Sequence, residues 1–453
     1  MDAPKKKLRI KKKLSVWRYL ALGYFIIIAV GSVLLILPFA TKSGQTTNYL
    51  NALFTSVSAT CVTGLVPYDT GLHWSGFGQA VILALIQLGG LGFTTFVSVL
   101  LMMRGKGLGI YERKIAMQTY GENFGGAGRL IKRIVLGSLS AELVGACLLC
   151  IRFVPDFGGL GVWYAVFHSV SAFCNAGFDL MGGAFGQEFV SLSNYAGDPV
   201  ICIVIPVLII LGGLGFCVWG DVIDCKFNFK KFRLFTKVVL ISSLVLIFGG
   251  TALYLLFERN NPEYAAFHFG QKLLCSFFHS ATARTAGFSV TDPSSFSESG
   301  YLLTLVLMFI GGSSGSTAGG IKMSTFAVIL MGMFAAFGGK RDVNIGNRRL
   351  DSALVGQALA IFFSYLALVI LSTLVICAAE NAGFQETLYE SVSALGTVGL
   401  SMSLTPQLHW FSKIILMLLM YTGRVGVLTL AAALASRKSR VSVRKPEESL
   451  FIG

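Results

Sequence analysis

The chain has 453 residues, of which 54 % are hydrophobic and only 13 % charged, with a mean hydropathy of +0.71 and a formal net charge of +15. Soluble domains carry about 25 % charged residues, so this composition excludes a large soluble core and requires a membrane protein. The basic excess is scattered over many short segments without an aromatic-lined stripe, which argues against nucleic acid as a partner.

Residues 1–16 form a basic tail carrying Lys5, Lys6, Lys7, Arg9, Lys11, Lys12 and Lys13. It runs directly into a full-length apolar span, so no cleavable signal peptide is expected. A helix needs ~20 apolar residues to cross a bilayer, and adequate stretches fall near 17–39, 76–103, 131–154, 199–223, 234–257, 300–335, 351–379 and 409–436. They pair into four repeats: 17–103, 131–223, 224–335 and 351–436, with linkers at 104–130 and 336–350 and a tail at 437–453. Lys and Arg crowd the inter-pair segments and both tails, for example Arg104, Lys114, Arg133, Lys230, Lys231, Arg341 and Arg437. Asp and Glu dominate the intervening loops, for example Asp69, Asp179, Glu188 and Asp292. Positive-inside weighting therefore places both termini in the cytoplasm of a plasma-membrane protein. Anionic lipid headgroups are the expected partner of these basic residues.

Between the spans of each pair lies a shorter segment of about 10–12 residues, too short to cross and read as a re-entrant half-helix. The four copies are 54–65 (FTSVSATCVTGL), 167–178 (FHSVSAFCNAGF), 277–288 (FFHSATARTAGF) and 389–400 (YESVSALGTVGL). Aligned without a gap, they superpose Gly64, Gly177, Gly287 and Gly399, spaced 110–113 residues apart. A period that long does not fit a solenoid. The expected fold is an all-α polytopic membrane protein, four tandem span–half-helix–loop–span repeats around one pseudo-fourfold ion pore.

The loops following the half-helices supply the candidate selectivity filter: Val62, Thr63 and Gly64; Asn175, Ala176 and Gly177; Thr285, Ala286 and Gly287; Thr397, Val398 and Gly399. Half-helix C-termini favour a cation, and backbone carbonyls can replace its hydration shell. No carboxylate appears among these residues, which disfavours a divalent ion. Arg284, next to Thr285, is expected to brace its filter strand with its five donors.

The outgoing span of each repeat carries a glycine patch. Gly89, Gly90 and Gly92, and then Gly212, Gly213 and Gly215, read as close helix packing. In the third repeat the patch expands to Gly311, Gly312, Ser313, Ser314, Gly315, Ser316, Thr317, Ala318, Gly319 and Gly320, within an intramembrane loop at 311–322. Glycine costs a helix ~1 kcal/mol per residue, so this segment is expected to be a non-helical gate. Broken backbone at membrane depth is tolerated when buried or lining a cavity. In the fourth repeat Arg424 takes the column of Gly90, Gly213 and Gly312. A charge inside a span is a functional candidate: facing the pore, Arg424 would repel cations and hold the gate through its carbonyls, while a helix-stapling role is the alternative. Glu142 is expected to pair with a neighbouring helix. The nine cysteines, including Cys147 and Cys150, read as small apolar filler.

These repeats, the glycine-rich break and the arginine resemble the Trk/Ktr/HKT superfamily of potassium transporters, most closely the Ktr membrane subunit, KtrB, over nearly the whole chain. The resemblance implies homodimers with one pore per subunit, resting on a cytosolic nucleotide-binding ring of KtrA type. It also implies sodium as a possible activator of potassium uptake, and a role for Phe451, Ile452 and Gly453 in the dimer. Glycine in all four filter positions looks like the potassium-selective members. An enzyme is not expected: Gly312-Ser313-Ser314-Gly315 fits an intramembrane protease motif, but the five histidines fall far from it. An alternating-access cation carrier, including sodium-transporting members of the superfamily, stays open as the alternative.

Overall fold

A computed structural model describes residues 16–103, 127–340, 342–345 and 348–434. The basic run at 5–13, most of the first linker, and Phe451, Ile452 and Gly453 lie outside the described residues. Among the described residues, sixteen helices of eight residues or more fall into four sets of four. The first set is α1 (Val16–Ile36), α2 (Tyr49–Cys61), α3 (Gly76–Leu91) and α4 (Phe93–Met103). The second is α5 (Ala127–Phe157), α6 (Gly159–Phe173), α7 (Pro199–Leu214) and α8 (Phe216–Asp224). The third is α9 (Leu234–Phe257), α10 (Phe269–Thr282), α11 (Glu298–Phe309) and α12 (Met323–Phe337). The fourth is α13 (Ser352–Ala379), α14 (Phe384–Gly396), α15 (Trp410–Val425) and α16 (Val427–Leu434).

The incoming helices α1, α5, α9 and α13 are each long and apolar enough to cross a membrane. The half-helices α2, α6, α10 and α14 run 13–15 residues, somewhat longer than expected. Each packs on the incoming helix of its own set. Small residues make that contact close. Ser56 Oγ donates to Ile28 O at 2.8 Å, Ser169 Oγ to Glu142 O at 2.6 Å, and Ser280 Oγ to Ile247 O at 2.8 Å. In each case a glycine of the incoming helix, Gly31, Gly145 or Gly250, faces the serine. The fourth set lacks this device. The one glycine of α13, Gly356, faces open space, and Ser391 Oγ has no partner.

The outgoing segments correct the sequence reading. Only the third was expected to break, yet the stretches 76–103, 199–223 and 409–436 also divide, at Gly92, Gly215 and Gly426. These three share one conformation, with φ of +83°, +93° and +91° and ψ of 141°, 140° and 134°. That conformation is closed to residues with a Cβ and incompatible with a continuing helix. The α7–α8 pair bends by 88°. The close packing expected of the patches is present one step earlier: methyl groups on Gly89, Gly212 and Gly423 would strike the carbonyls of Thr60, Phe173 and Leu395 at the half-helix ends.

Between sets, α3 packs on α6, α7 on α10, α11 on α14, and α15 on α2. The outgoing helix of each set therefore meets the half-helix of the next, and the fourth closes on the first.

Candidate ion pathway

Each half-helix ends in the same backbone manoeuvre. Two residues before its glycine, a residue other than glycine takes positive φ: Val62 (+58°), Asn175 (+59°), Thr285 (+75°) and Thr397 (+52°). The glycines follow at +97°, +69°, +81° and +93° for Gly64, Gly177, Gly287 and Gly399, while Thr63, Ala176, Ala286 and Val398 between them stay at negative φ. Alternating left- and right-handed residues turns successive carbonyls toward one side of the strand. For β-branched Val62, Thr285 and Thr397 this conformation is an outlier, costing about 1–3 kcal/mol each unless the surroundings enforce it. Three such outliers, with Asn175 at the same station of the second copy, mark the site.

The strands converge. A methyl group placed on Gly64 would lie 2.5 Å from Ala176 O and 3.3 Å from Gly399 Cα. One on Gly177 would lie 2.6 Å from Ala286 O, and one on Gly287 2.5 Å from Val398 O. One on Gly399 would collide with Thr63 O. Each glycine abuts the carbonyl preceding the next set's glycine, in the order first, second, third, fourth, first. A cavity of about 360 Å³ opens onto all four glycines, lined also by Asp179, Glu188 and Asp292. Burial, and then the neighbouring Asp69 carboxylate, push the Asp179 pKa up to about 7. The buried hydroxyls of Thr63 and Thr397 have no hydrogen-bond partner. The ring thus offers neutral oxygens suited to an alkali cation, and no carboxylate in the strands themselves.

The gapless alignment of the third copy needs correction. Ala176 N donates to Ser171 O and Val398 N to Ser393 O, five residues back, whereas Ala286 N donates to Thr282 O, four back. The third strand is one residue shorter between helix and glycine, so Phe278, His279 and Ser280 occupy the stations of Phe167, His168 and Ser169. Two adjacent phenylalanines concealed the shift.

On the far side of the ring, residues 311–320 are non-helical, with Ile310 and Ile321 bridged as parallel strands. The loop hydrogen-bonds to the breaks around it. Ser313 N donates to Gly213 O at 3.0 Å, Thr317 N to Gly212 O at 3.3 Å, and Phe216 N to Gly315 O at 3.0 Å. Thr317 Oγ1 adds a bond to Phe173 O at 3.2 Å. Arg424 donates to Thr317 O and to Gly89 O, and to Gly90 O at 3.2 Å. One guanidinium therefore links the loop of the third set to the break of the first. Lys322, which sequence reasoning used only to mark the end of the loop, donates from Nζ to Ala318 O at 2.7 Å. Its place, one residue past Gly319 and Gly320 and inside an apolar stretch, was the available signal.

Arg284 does not make the bonds expected of it. It is buried and donates to Met323 Sδ at 3.8 Å, with its Nε lacking an acceptor. The short third strand leaves its guanidinium aimed at the start of α12, not along the strand. Glu142 accepts two bonds from Gln87 Nε2, at 3.0 and 3.1 Å, which ties α5 to α3. All nine cysteines are free, and Cys61, Cys174, Cys202 and Cys275 are buried. His168 and His279 sit on the half-helices, His73 ends the short helix Thr70–His73, and His268 and His409 are N-caps; their hydrogen bonds go elsewhere than Ser313 and Ser314.

Residues 6–442 match the TrkH family model, described as a cation transport protein. The chain belongs to the TrkH family. Within that family it is 40 % identical over 437 residues to the Ktr system potassium uptake protein B of Bacillus subtilis, covering 96 % of each chain. It is 38 % identical over 455 residues to the potassium/sodium uptake protein NtpJ of Enterococcus hirae, covering 99 % of each. The fold is similar to the crystal structure of the potassium transporter TrkH from Vibrio parahaemolyticus, with a TM-score of 0.73 and 17 % identity over 96 % of this chain and 87 % of that one. The family and the helices together make this a multi-pass membrane protein.

Proposed function

We propose that this chain is the membrane subunit of a Ktr-type system and takes up potassium across the plasma membrane through a gated, selective pore. The observation that carries the reading is the closed cycle in which Gly64, Gly177, Gly287 and Gly399 each abut the carbonyl before the next. The four sets then stand around one pseudo-fourfold axis. Val62, Thr63, Asn175, Ala176, Thr285, Ala286, Thr397 and Val398 supply the remaining filter backbone. Carbonyls compensate a weakly hydrated ion for lost water. The cavity with Asp179, Glu188 and Asp292 is the outer vestibule, and both termini are cytoplasmic. The loop 311–320, held by Arg424, closes the pore on the inner side.

Relatives named as Ktr system proteins support partner components, and the assembly proposed is a homodimer seated on a cytosolic nucleotide-binding ring. The potassium/sodium uptake name of the Enterococcus relative supports sodium as a second transported ion; sodium as an activator is the finer part of the proposal. Basic cytoplasmic segments face anionic lipid headgroups. The test is rubidium uptake into proteoliposomes of purified protein, with potassium or sodium as competitor and with or without added sodium. Strong competition by potassium and weak competition by sodium is expected; equal competition would sink the filter. Electrodiffusive current should accompany uptake, whereas an alternating carrier would saturate at low turnover.

A further inference from the structure

Once the third set is shifted by one residue, Thr55, His168, His279 and Glu390 occupy the same station on the four half-helices, and all lie behind the filter strands. All but Thr55 are deeply buried charged or titratable side chains. Each of those three ties its half-helix to the strand that leaves the ring. Leu180 N, three residues beyond Gly177, donates to His168 Nε2 at 3.4 Å, while His168 Nδ1 is turned to Tyr164 O at 2.7 Å. His279 Nε2 bonds Thr291 Oγ1, four residues beyond Gly287, at 2.8 Å. Glu390 accepts from Ser401 Oγ, two residues beyond Gly399, and from Thr405 Oγ1 at 2.8 Å. Thr55 instead donates to Asn51 O of its own helix at 2.9 Å.

We infer that His168, His279 and Glu390 are positioning residues of the filter: they fix the height and spacing of the glycine ring by clamping the outgoing strand, and Glu390 does most of this. The inference rests on the filter reading above. The chemistry differs among the sets while the task is shared. A histidine offers one acceptor to one donor. The carboxylate gathers two hydroxyl donors from two points of one loop, and that loop, through Leu400, Ser401, Ser403 and Pro406, lines the vestibule directly. With the helix–strand distance set at three corners, a ring that fits one alkali cation is kept from collapsing onto a smaller one. In the first set the tie comes from Asn51, four residues before Thr55, whose Nδ2 donates to the hydroxyl of Tyr68, four residues beyond Gly64, at 2.7 Å; Gly64 N also donates to Ser58 Oγ at 3.0 Å, the same bond Gly399 N makes to Ser393 Oγ.

The experiment is a double-mutant cycle between Glu390→Gln and the pair Ser401→Ala with Thr405→Val, in proteoliposomes, scored by the ratio of potassium to sodium competition against rubidium uptake. Each arm is expected to lower the ratio by roughly ten-fold while uptake persists. The combined variant should be no worse than either arm, and Glu390→Gln should be milder than Glu390→Ala. His279→Asn with Thr291→Val provides a second, independent cycle with the same expected coupling, which serves if the Glu390 variants do not fold. Additive effects, or an unchanged ratio in folded variants, would overturn the inference. Gly399→Ser is run beside them: if it shifts the ratio and the clamps do not, only the clamping role fails. If Gly399→Ser is also silent, the filter reading itself fails.

Discussion

The glycine ring and the layer of breaks beneath it are built by opposite rules. In the ring, four strands with different side chains adopt one backbone: Val62, Asn175, Thr285 and Thr397 all take positive φ. In the lower layer three sets share one break, at Gly92, Gly215 and Gly426, while the third replaces it with a loop and the fourth adds Arg424. The difference teaches that a task shared by backbone atoms tolerates side-chain variation and conserves geometry. A task performed by one set is written in its side chains. On this reading the ring sets which ion passes and the lower layer sets how fast.

The sharpest way to break that division is at the ring. A side chain on Gly64 meets a φ of +97° and a carbonyl 2.5 Å away, a strain of roughly 1–3 kcal/mol at such positions. Gly64→Ser should therefore lower the preference for potassium over sodium by at least about ten-fold, read by sodium competition against rubidium uptake. An unchanged preference would remove Gly64 from the filter. The complementary change is Arg424→Gln, which withdraws the donors that join Thr317 O to Gly89 O and Gly90 O. Charge-assisted bonds of this kind are worth roughly 1.5–3 kcal/mol, so the initial uptake rate should rise by about ten-fold with the ion preference intact. Shortening 311–320 should act in the same direction. Slower uptake by folded protein would show that Arg424 supports the pathway and does not close it.

Much of this division was legible in the residues. The four re-entrant segments stood out because serine and glycine recur in register within apolar surroundings, and the third-set loop because ten small residues cannot sustain a helix. The breaks at Gly92, Gly215 and Gly426 were not legible. A glycine at the end of a glycine patch reads equally as packing or as a turn, and only its φ separates the two. The one-residue shortening was hidden by Phe277 and Phe278. Arg284 misled for a related reason: its neighbour in sequence was the strand, but the shorter connection sends its side chain elsewhere. The closure of α15 on α2 is a long-range contact that no local pattern contains.

The sets also differ in how half-helix and incoming helix are joined, and a smaller effect can test it. Ser280 donates to Ile247 O beside Gly250, while Ser391 has no partner. Removing a buried hydrogen bond costs about 1 kcal/mol. Ser280→Ala should lower the midpoint of thermal unfolding in detergent by a few degrees, roughly what that energy gives, and Ser391→Ala should not lower it. Equal losses would mean that the serine stripe acts through packing alone.

The smallest expected effect lies in the proposed vestibule, the cavity in front of the glycine ring. Asp179 is two residues beyond Gly177, its pKa raised to about 7 by burial and then by Asp69, with Glu188 and Asp292 lining the same cavity. Met181 N donates to its carboxylate at 3.0 Å and opposes the shift, while burial lowers the pKa of His73. Because the shift is upward, Asp179 is largely ionised at an external pH near 8 and largely neutral near 6. A negative vestibule concentrates cations, so uptake at sub-saturating potassium should fall as the outside is acidified, by about two-fold for loss of one partly screened charge. Saturating potassium should erase the dependence, since a local concentration effect no longer matters once the ring is filled. Asp179→Asn should hold uptake at the low-pH level throughout and leave the potassium-to-sodium ratio untouched. A change in that ratio would place the carboxylate among the groups that select the ion, and the separation between attraction and selection would fail at this residue.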